Sequence, residues 1–319
     1  MTYSSELIPW GEVGYATYKR TYSRPIKNRT EEWEETVDRV IEACNKQLKC
    51  EFNEKDQEDI KRMMMQLKGT VAGRFLWQLG TKTVDKLGLP SLQNCAFTVV
   101  DQPIRPFTWA FEMLMLGSGV GFNIQREHVY QLPKIRKKVS VKHVEDAGAD
   151  FIVPDSREGW TELLKRVLEA SFVTGQGFTY DTSLVRPAGT PIKGFGGTAS
   201  GPGDLIWGME EINRILNERS GQRLRPIDCL DIMNIIGKIV VAGNVRRSAQ
   251  IAIGDHDDIE YLRAKRWDLG GIPNWRAMSN NSVACDDVST LPEEFWEGYK
   301  GNGEPYGLIN LTSSRRMGR

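Results

Sequence analysis

Short strand-like segments alternate with amphipathic helices along most of this chain, and that order constrains the fold more than any other feature. Residues 92–100 and 121–124 are strand-like, and residues 106–115 between them have the composition of a buried helix. The alternation continues with helices over 160–172, 204–218 and 225–241 and a strand over 249–253. Strands separated by helices predict an α/β fold.

Composition narrows the class of protein. The chain has 319 residues, with 42 Lys and Arg against 42 Asp and Glu, and 40% of it is hydrophobic. Such a length suits two domains or one large α/β domain. The balanced charge argues against a nucleic-acid groove. No apolar stretch is long enough for a membrane helix, and the first residues lack a secretory pattern, so we expect a cytoplasmic protein without a membrane partner.

The N-terminal region differs from the rest. Residues 1–30 are aromatic and basic without a clear period, which predicts an irregular surface arm. Helical spacing begins at Thr30, with a second helix predicted over 54–67. We therefore predict two domains: an N-terminal arm and helical region over 1–90, and an α/β domain over 91–319.

The cysteines give one candidate for chemistry. They stand at positions 44, 50, 95, 229 and 285, and no Cys-x-x-Cys pair occurs, so we predict no metal site. Cys95 opens an apolar strand after Gln93 and Asn94. A buried inert thiol is the ordinary role for such a residue, and the local sequence leaves a redox role open.

Three further patterns allow two interpretations each. Gly117-x-Gly-x-Gly121 can cradle a phosphate or simply form a tight turn, and its position between a helix and a strand favours the turn. The glycine- and proline-rich residues 186–202 can be a surface loop or a ligand-binding loop. Arg246 and Arg247 can be solvated charge or can bind phosphate through paired guanidinium groups.

The order of these blocks resembles one family. The matching blocks are Ser91-Leu-Gln-Asn-Cys-Ala-Phe, Gly117-Ser-Gly-Val-Gly-Phe, Pro154-Asp-Ser-Arg-Glu-Gly-Trp, Gly194-Phe-Gly-Gly-Thr-Ala-Ser-Gly-Pro, Gly243-Asn-Val-Arg-Arg-Ser and Ser279-Asn-Asn-Ser-Val-Ala. They resemble the monomeric, class II, adenosylcobalamin-dependent ribonucleoside-triphosphate reductases, over nearly the whole chain.

The resemblance implies a fold and a reaction. It implies a ten-stranded α/β barrel built from two five-stranded halves, of which this chain supplies the first half. It also implies thiyl-radical reduction of ribonucleotides, started by adenosylcobalamin, with a disulfide that a thioredoxin-type protein reduces again. Cys95 matches the first cysteine of the reducing pair, which overturns the ordinary interpretation of an inert thiol.

The resemblance also assigns binding residues. Ser91, Asn94, Ser279 and Asn280 are expected to contact the substrate. An effector-specificity segment over about 130–203, with residues 131–150 as its inserted part, and a second loop are expected to bind a deoxynucleoside triphosphate. The residues assigned to that effector are Arg186, Lys193, Gly196, Gly197, Asn244, Arg246 and Arg247.

One element of the family pattern is not in this sequence. The radical cysteine of the family lies in an Asn-x-Cys-x-Glu context, and none of the five cysteines has it. Three explanations remain open: a second chain carries the C-terminal half, the sequence is a truncated or intein-interrupted product, or the chain is a non-catalytic deoxynucleotide-binding regulatory protein.

Overall fold

The computed structural model describes residues 10–190, 198–242, 249–304 and 307–318. The chain divides into two compact units, Met1–Asn94 and Cys95–Arg319. None of the described helices is long and apolar enough to cross a lipid bilayer.

The first unit is mainly helical. Its helices are α1 (Glu12–Thr21), α2 (Trp33–Leu48), α3 (Glu54–Met65), α4 (Gly73–Gln78) and α5 (Lys82–Leu87), and a short hairpin joins β1 (Pro25–Ile26) to β2 (Arg29–Thr30). Helix α2 begins with a reciprocal capping box between Glu32 and Glu35. It buries Trp33, Val37 and Val40 in the core of this unit.

The prediction of an irregular arm over residues 1–30 is wrong for α1. Tyr18 on this helix is 1% exposed, and its hydroxyl lies 2.7 Å from the Thr36 hydroxyl. The Trp10 ring stacks on the Tyr18 ring with centroids 5.1 Å apart. Tyr18 is the buried residue of α1, and the partly buried Tyr15 and Tyr22, three and four residues away along the chain, pack against the same core.

The second unit is built on a parallel sheet of five strands. The strands are β3 (Cys95–Val99), β4 (Gly119–Asn123), β8 (Gln250–Asp255), β9 (Ser279–Cys285) and β10 (Gly307–Asn310), in the spatial order β10-β9-β8-β4-β3. Every neighbouring pair is parallel. The expected five-stranded half of an α/β barrel is confirmed.

Helices cover one face of this sheet. Helix α6 (Arg105–Met115) contacts β3 and β4, and α10 (Pro226–Ala242) contacts α6, β8 and α9 (Gly203–Glu218). Helix α10 is buried on nearly all sides, as its apolar sequence requires. The remaining short helices are α11 (Ile259–Leu262), α12 (Glu293–Glu297) and α13 (Leu311–Arg316).

The segment between β4 and α9 forms a second, smaller parallel sheet. Its strands β5 (Val141–His143), β6 (Phe151–Ile152) and β7 (Phe178–Asp181) have the order β5-β7-β6. Helix α7 (Arg126–Val129) precedes them, and α8 (Arg157–Glu169) lies between β6 and β7. Residues 131–150, the predicted inserted part, therefore contribute strand β5 to this second sheet.

Candidate functional site

The two faces of the five-stranded sheet differ in what covers them. The pairing places Phe97, Gly121, Ile251 and Asn280 in one row across four strands. Phe97 is 52% exposed and Ile251 is 40% exposed, whereas Val120 and Ala252, on the opposite face, are buried. We call the face that carries Cys95, Phe97, Gly121, Ile251 and Asn280 the open sheet face.

Cys95 is the first residue of β3, opposite Gly119 of β4. It is an exposed free thiol, and it shares the open sheet face with Phe97 because side chains two residues apart point the same way along a strand. Cys229 and Cys285 of the same unit are buried, and burial raises the pKa of both thiols. Cys95 is therefore the thiol of this unit that solvent or a ligand can reach.

The glycine pattern from Gly117 to Gly121 forms a turn and then enters β4. Gly117 ends α6 with a positive φ of 81°, which confirms the tight-turn interpretation. At Gly121, a Cβ atom would lie 2.5 Å from Cδ2 of Phe97 and 3.2 Å from Cγ2 of Ile251. The absent side chain lets the Phe97 ring lie across β4, so Gly121 shapes the open sheet face.

The start of β9 places two adjacent predicted residues on opposite faces. Asn280 is exposed on the open sheet face. Ser279 is buried on the helix-covered face, where its hydroxyl lies 2.9 Å from Oδ1 of Asn281 and 3.3 Å from Oδ1 of Asn234. The Ser279 side chain is therefore engaged within the protein, and its assignment to the substrate stays a prediction.

A buried ion pair fixes this strand. Lys265 Nζ lies 2.9 Å from Oε1 of Glu304 and also donates to the Ser279 carbonyl oxygen. The Asn281 amide donates to Oε2 of Glu304 at 2.6 Å. Sequence reasoning missed Lys265 and Glu304, since their separation along the chain gives no local signal.

Ser91 and Asn94 lie at the end of the first unit. The buried Ser91 hydroxyl donates to the Gly88 carbonyl oxygen at 2.7 Å. Arg74 donates to the Ser91 carbonyl oxygen and to the Asn94 side-chain oxygen, each at 3.3 Å. Burial lowers the pKa of the Arg74 guanidinium. Arg74 was not predicted, and it holds the segment that leads into Cys95.

The effector residues are described only in part. Arg186 donates to Asp155 Oδ2 at 2.6 Å. The Gly189 amide donates to the Ala199 carbonyl oxygen at 2.9 Å and the Ala199 amide donates to that of Thr190 at 2.8 Å, so the two ends of the glycine-rich segment are joined. Lys193, Gly196, Gly197, Asn244, Arg246 and Arg247 lie outside the described residues.

The described part of the chain contains no cluster of three His, Cys, Asp or Glu side chains that could hold a metal ion. The groups on the open sheet face are a thiol, an amide and apolar side chains. This set can bind an organic substrate and supply hydrogen or electrons from sulfur.

The second unit has a parallel five-stranded sheet with an exposed thiol at the start of β3. Comparisons with known proteins relate this arrangement to ribonucleotide reductases. The family "Ribonucleotide reductase alpha domain" matches residues 2–81. The family "B12-dependent ribonucleotide reductase, insertion domain" matches residues 127–216. The matched range contains the predicted inserted residues 131–150.

The particular relatives are adenosylcobalamin-dependent ribonucleoside-triphosphate reductases. The protein of this name from Lactobacillus gasseri is 38% identical, with 98% of this chain and 50% of that protein covered. The one from Lactobacillus helveticus is 36% identical, with 97% and 50% covered. A crystal structure of a B12-dependent, class II ribonucleotide reductase matches with a TM-score of 0.78 and 32% identity, covering 95% of this chain and 50% of that one.

The chain therefore spans about half the length of the curated relatives that it matches. The resemblance to the N-terminal portion of a class II ribonucleotide reductase, expected from the sequence blocks, is confirmed.

Proposed function

We propose that this chain supplies the first half of the catalytic barrel of an adenosylcobalamin-dependent ribonucleoside-triphosphate reductase. The observation that carries the proposal is the position of Cys95: an exposed thiol at the start of the first strand, on the open face of a parallel five-stranded sheet. Asn280, in the same row of the sheet as Phe97, is the described residue best placed to contact a ribonucleotide on that face.

Cys95 acts in this proposal as one half of a reducing pair. Two thiols give up two hydrogens and form one S–S bond, while the C–O bond at the ribose 2′ carbon breaks and its oxygen leaves as water. A C–H bond replaces it, so atoms and electrons balance. A thioredoxin-type dithiol then reduces the disulfide by thiol exchange.

The other reacting cysteines are expected to come from sequence outside these 319 residues. Burial raises the pKa of Cys44, Cys229 and Cys285, which lowers the fraction of reactive thiolate at each. No cysteine here has the Asn-x-Cys-x-Glu context. The remainder can be a continuation of the same chain or a second chain.

In this proposal, adenosylcobalamin acts only in the assembled enzyme. Adenosylcobalamin, when bound, supplies the radical that starts the reaction. The thiol, amide and apolar groups of the open sheet face fit a ribonucleotide, and no described residue is assigned to a corrin ring. The reducing chemistry suits a cytoplasmic setting.

The effector proposal concerns the glycine-rich segment and its neighbours. The joined ends at Gly189, Thr190 and Ala199 flank residues 191–197, to which we assign binding of a deoxynucleoside triphosphate. Arg186 already pairs with Asp155, so effector binding by Arg186 requires that this ion pair be shared or exchanged.

The alternative is a regulatory protein that binds deoxynucleotides without catalysis. The open sheet face argues for the enzyme, because exposed Phe97 and Ile251 and the sheet edges at β3 and β10 need a partner surface.

The test compares the chain alone with the assembled enzyme, by which we mean this chain together with the segment from the same genome that carries Asn-x-Cys-x-Glu. With adenosylcobalamin, a dithiol and an effector, the assembly should form deoxynucleotides and the chain alone should not. Deoxynucleotide formation by the chain alone would contradict the proposal. A monodisperse chain that binds deoxynucleotides, in a genome without such a segment, would favour the regulatory alternative.

A further inference from the structure

The first residues of β9 have a strand neighbour on one side and a buried ion pair on the other. On one side, residues 279–281 pair with residues 250–252 of β8. On the other side, the described pairing with β10 begins only at Ser282, which lies opposite Gly307. Backbone groups of residues 279–281 that face this second side therefore need partners other than the described part of β10.

Lys265 and Glu304 supply these partners. The Lys265 ammonium donates to the Ser279 carbonyl oxygen. Glu304 Oε2 accepts a hydrogen bond from the Asn281 amide at 2.6 Å. In a parallel ladder, a residue opposite Asn280 donates its N–H to the carbonyl before Asn280 and accepts the N–H after it. The ammonium replaces that donor and the carboxylate replaces that acceptor, so two side chains reproduce the hydrogen bonds of one strand residue.

The ion pair is enclosed by the protein. Lys265 is 4% exposed and Glu304 is 9% exposed, and Lys265 Nζ lies 2.9 Å from Glu304 Oε1. A Cβ atom at Gly303 would lie 2.3 Å from the Lys265 carbonyl oxygen, so the backbone before Glu304 packs directly on that of Lys265. Because burying two charges costs desolvation free energy, such a pair adds little stability compared with apolar side chains of similar size.

The segment just before β9 is held as well. Arg276 donates to the two carboxylate oxygens of Asp231 on α10, at 2.7 and 2.8 Å. It also donates to the Ala264 carbonyl oxygen at 3.2 Å, next to Lys265 in the chain. The backbone around Asn280 is therefore fixed from the covered side, while Asn280 itself lies on the open sheet face.

We propose that Lys265 and Glu304 are positioning residues, which set the direction in which Asn280 presents its amide to the ribonucleotide. This inference rests on the proposed function, because it takes Asn280 as a substrate contact. Both charged side chains are buried and act through the two peptide groups that flank Asn280. Their loss should misplace Asn280 without unfolding the sheet, since β8 still pairs with β9.

Two double variants remove the charges together, so that neither charge is left buried and unpaired. Lys265→Met/Glu304→Gln keeps a side-chain oxygen for the Asn281 amide but removes the donor to the Ser279 carbonyl. Lys265→Met/Glu304→Leu removes both partners. The comparison therefore separates the contribution of the acceptor from that of the donor.

Amide hydrogen exchange of the full chain measures the positioning without catalysis. The Asn281 amide should exchange about tenfold faster in Lys265→Met/Glu304→Leu than in the wild type, but not in Lys265→Met/Glu304→Gln. Val283 pairs with both β8 and β10, so its amide is the internal control and should keep its protection. Unchanged exchange at Asn281 in Lys265→Met/Glu304→Leu would overturn the proposal.

Steady-state kinetics of the assembled enzyme test whether the positioning acts through Asn280. Lys265→Met/Glu304→Leu should lower kcat/KM about tenfold, mainly by raising KM. Added to Asn280→Ala, the same change should lower kcat/KM less than about twofold, because the group that it misplaces is already gone. Equal losses with and without Asn280→Ala would overturn the proposal, since independent structural effects add.

A control variant and one further outcome complete the test. Glu294→Gln removes a carboxylate that pairs with Arg263 on the surface of the same unit, and it should leave kcat/KM unchanged. If the wild-type assembly forms no deoxynucleotide while Asn281 exchanges faster in Lys265→Met/Glu304→Leu, the proposed function is contradicted and the positioning of β9 by the ion pair is supported.

Discussion

Ser279 and Asn280 are adjacent on β9, but we expect Ser279 to contribute to stability and Asn280 to contribute to substrate binding. Ser279 lies under the helices with its hydroxyl among amide groups, whereas Asn280 lies on the open sheet face. Because successive side chains of a strand point to opposite faces, neither substitution should mimic the other.

We predict that Ser279→Ala lowers the free energy of unfolding by about 1–3 kcal/mol, since it removes a buried hydroxyl that bonds to a buried amide. Asn280→Ala should change stability by less than about 0.5 kcal/mol but lower kcat/KM of the assembled enzyme. Urea unfolding and steady-state kinetics check the pair. Unchanged kcat/KM for Asn280→Ala would contradict its proposed contact with the substrate.

Glu31 gives the first unit a pH-dependent stability. Its side chain is 5% exposed and accepts hydrogen bonds from Arg39 at 2.7 Å and Thr36 at 2.7 Å. Burial by itself raises the pKa of the Glu31 carboxyl, but the hydrogen bonds and the charge of Arg39 outweigh it and lower the pKa below its ordinary value of 4.5. The folded state therefore favours the ionised carboxyl.

This stabilisation should be complete above pH 4.5 and should disappear as the pH falls through the lower pKa of the folded state. We predict that Glu31→Gln is less stable than the wild type at pH 7 and that the difference shrinks below pH 4. Denaturant unfolding at several pH values measures it. A difference that stays constant from pH 7 to pH 3 would show that the charge of Glu31 is not responsible.

At the scale of elements, the contact between α9 and α10 depends on Gly208. A Cβ atom there would lie 2.4 Å from Cδ1 of Ile239 and 3.3 Å from Cγ2 of Ile235, both on α10. Gly203, at the start of the same helix, has nothing within 4 Å of such an atom. The two glycines form a natural comparison.

We predict that Gly208→Ala destabilises the protein by about 1–2 kcal/mol, because overpacking outweighs the better helix propensity of alanine. Gly203→Ala should be neutral or slightly stabilising. Urea unfolding measures the free energy of unfolding of both variants. Equal values would mean that α10 shifts to admit the added methyl group without a change in stability, and would contradict the prediction.

Elements with strong periodicity were predictable from the sequence. Helices α2, α3, α9 and α10 lie where apolar spacing predicts them, since each buries a stripe of its own residues. Helix α1 was missed because it buries a single residue, Tyr18, and has no stripe of aliphatic side chains. Strand β9 was missed because Ser279, Asn280 and Asn281 at its start lack the apolar alternation of a typical strand.

For the whole molecule, the site could not be assembled from local patterns. Cys95, Gly121, Ile251 and Asn280 lie on one face of one sheet only because parallel strands pair across long crossovers. Sequence reasoning placed Cys95 at the start of a strand, but its exposure follows from the open sheet face. The redox assignment came from the family resemblance, and the contribution of Gly121 became visible only in the packed sheet.

The open sheet face is also the reason to expect a partner for the second unit. In the part of the chain that the structure describes, Phe97 and Ile251 leave apolar surface exposed, and β3 and β10 form the two edges of the sheet. In the proposed enzyme this surface is covered by the second half of the barrel and by substrate.

The role of Cys95 is the central claim, and replacing its sulfur by oxygen in the assembled enzyme tests it most directly. Cys95→Ser keeps the size of the side chain but cannot form a disulfide. Cys50→Ser is the matched control, because Cys50 is also an exposed free thiol but lies in the first unit.

The measurement is the amount of deoxynucleotide formed and of free base released from a ribonucleoside triphosphate. Cys95→Ser should release base with little or no deoxynucleotide, while Cys50→Ser should give the wild-type yield. A normal deoxynucleotide yield from Cys95→Ser would contradict the account.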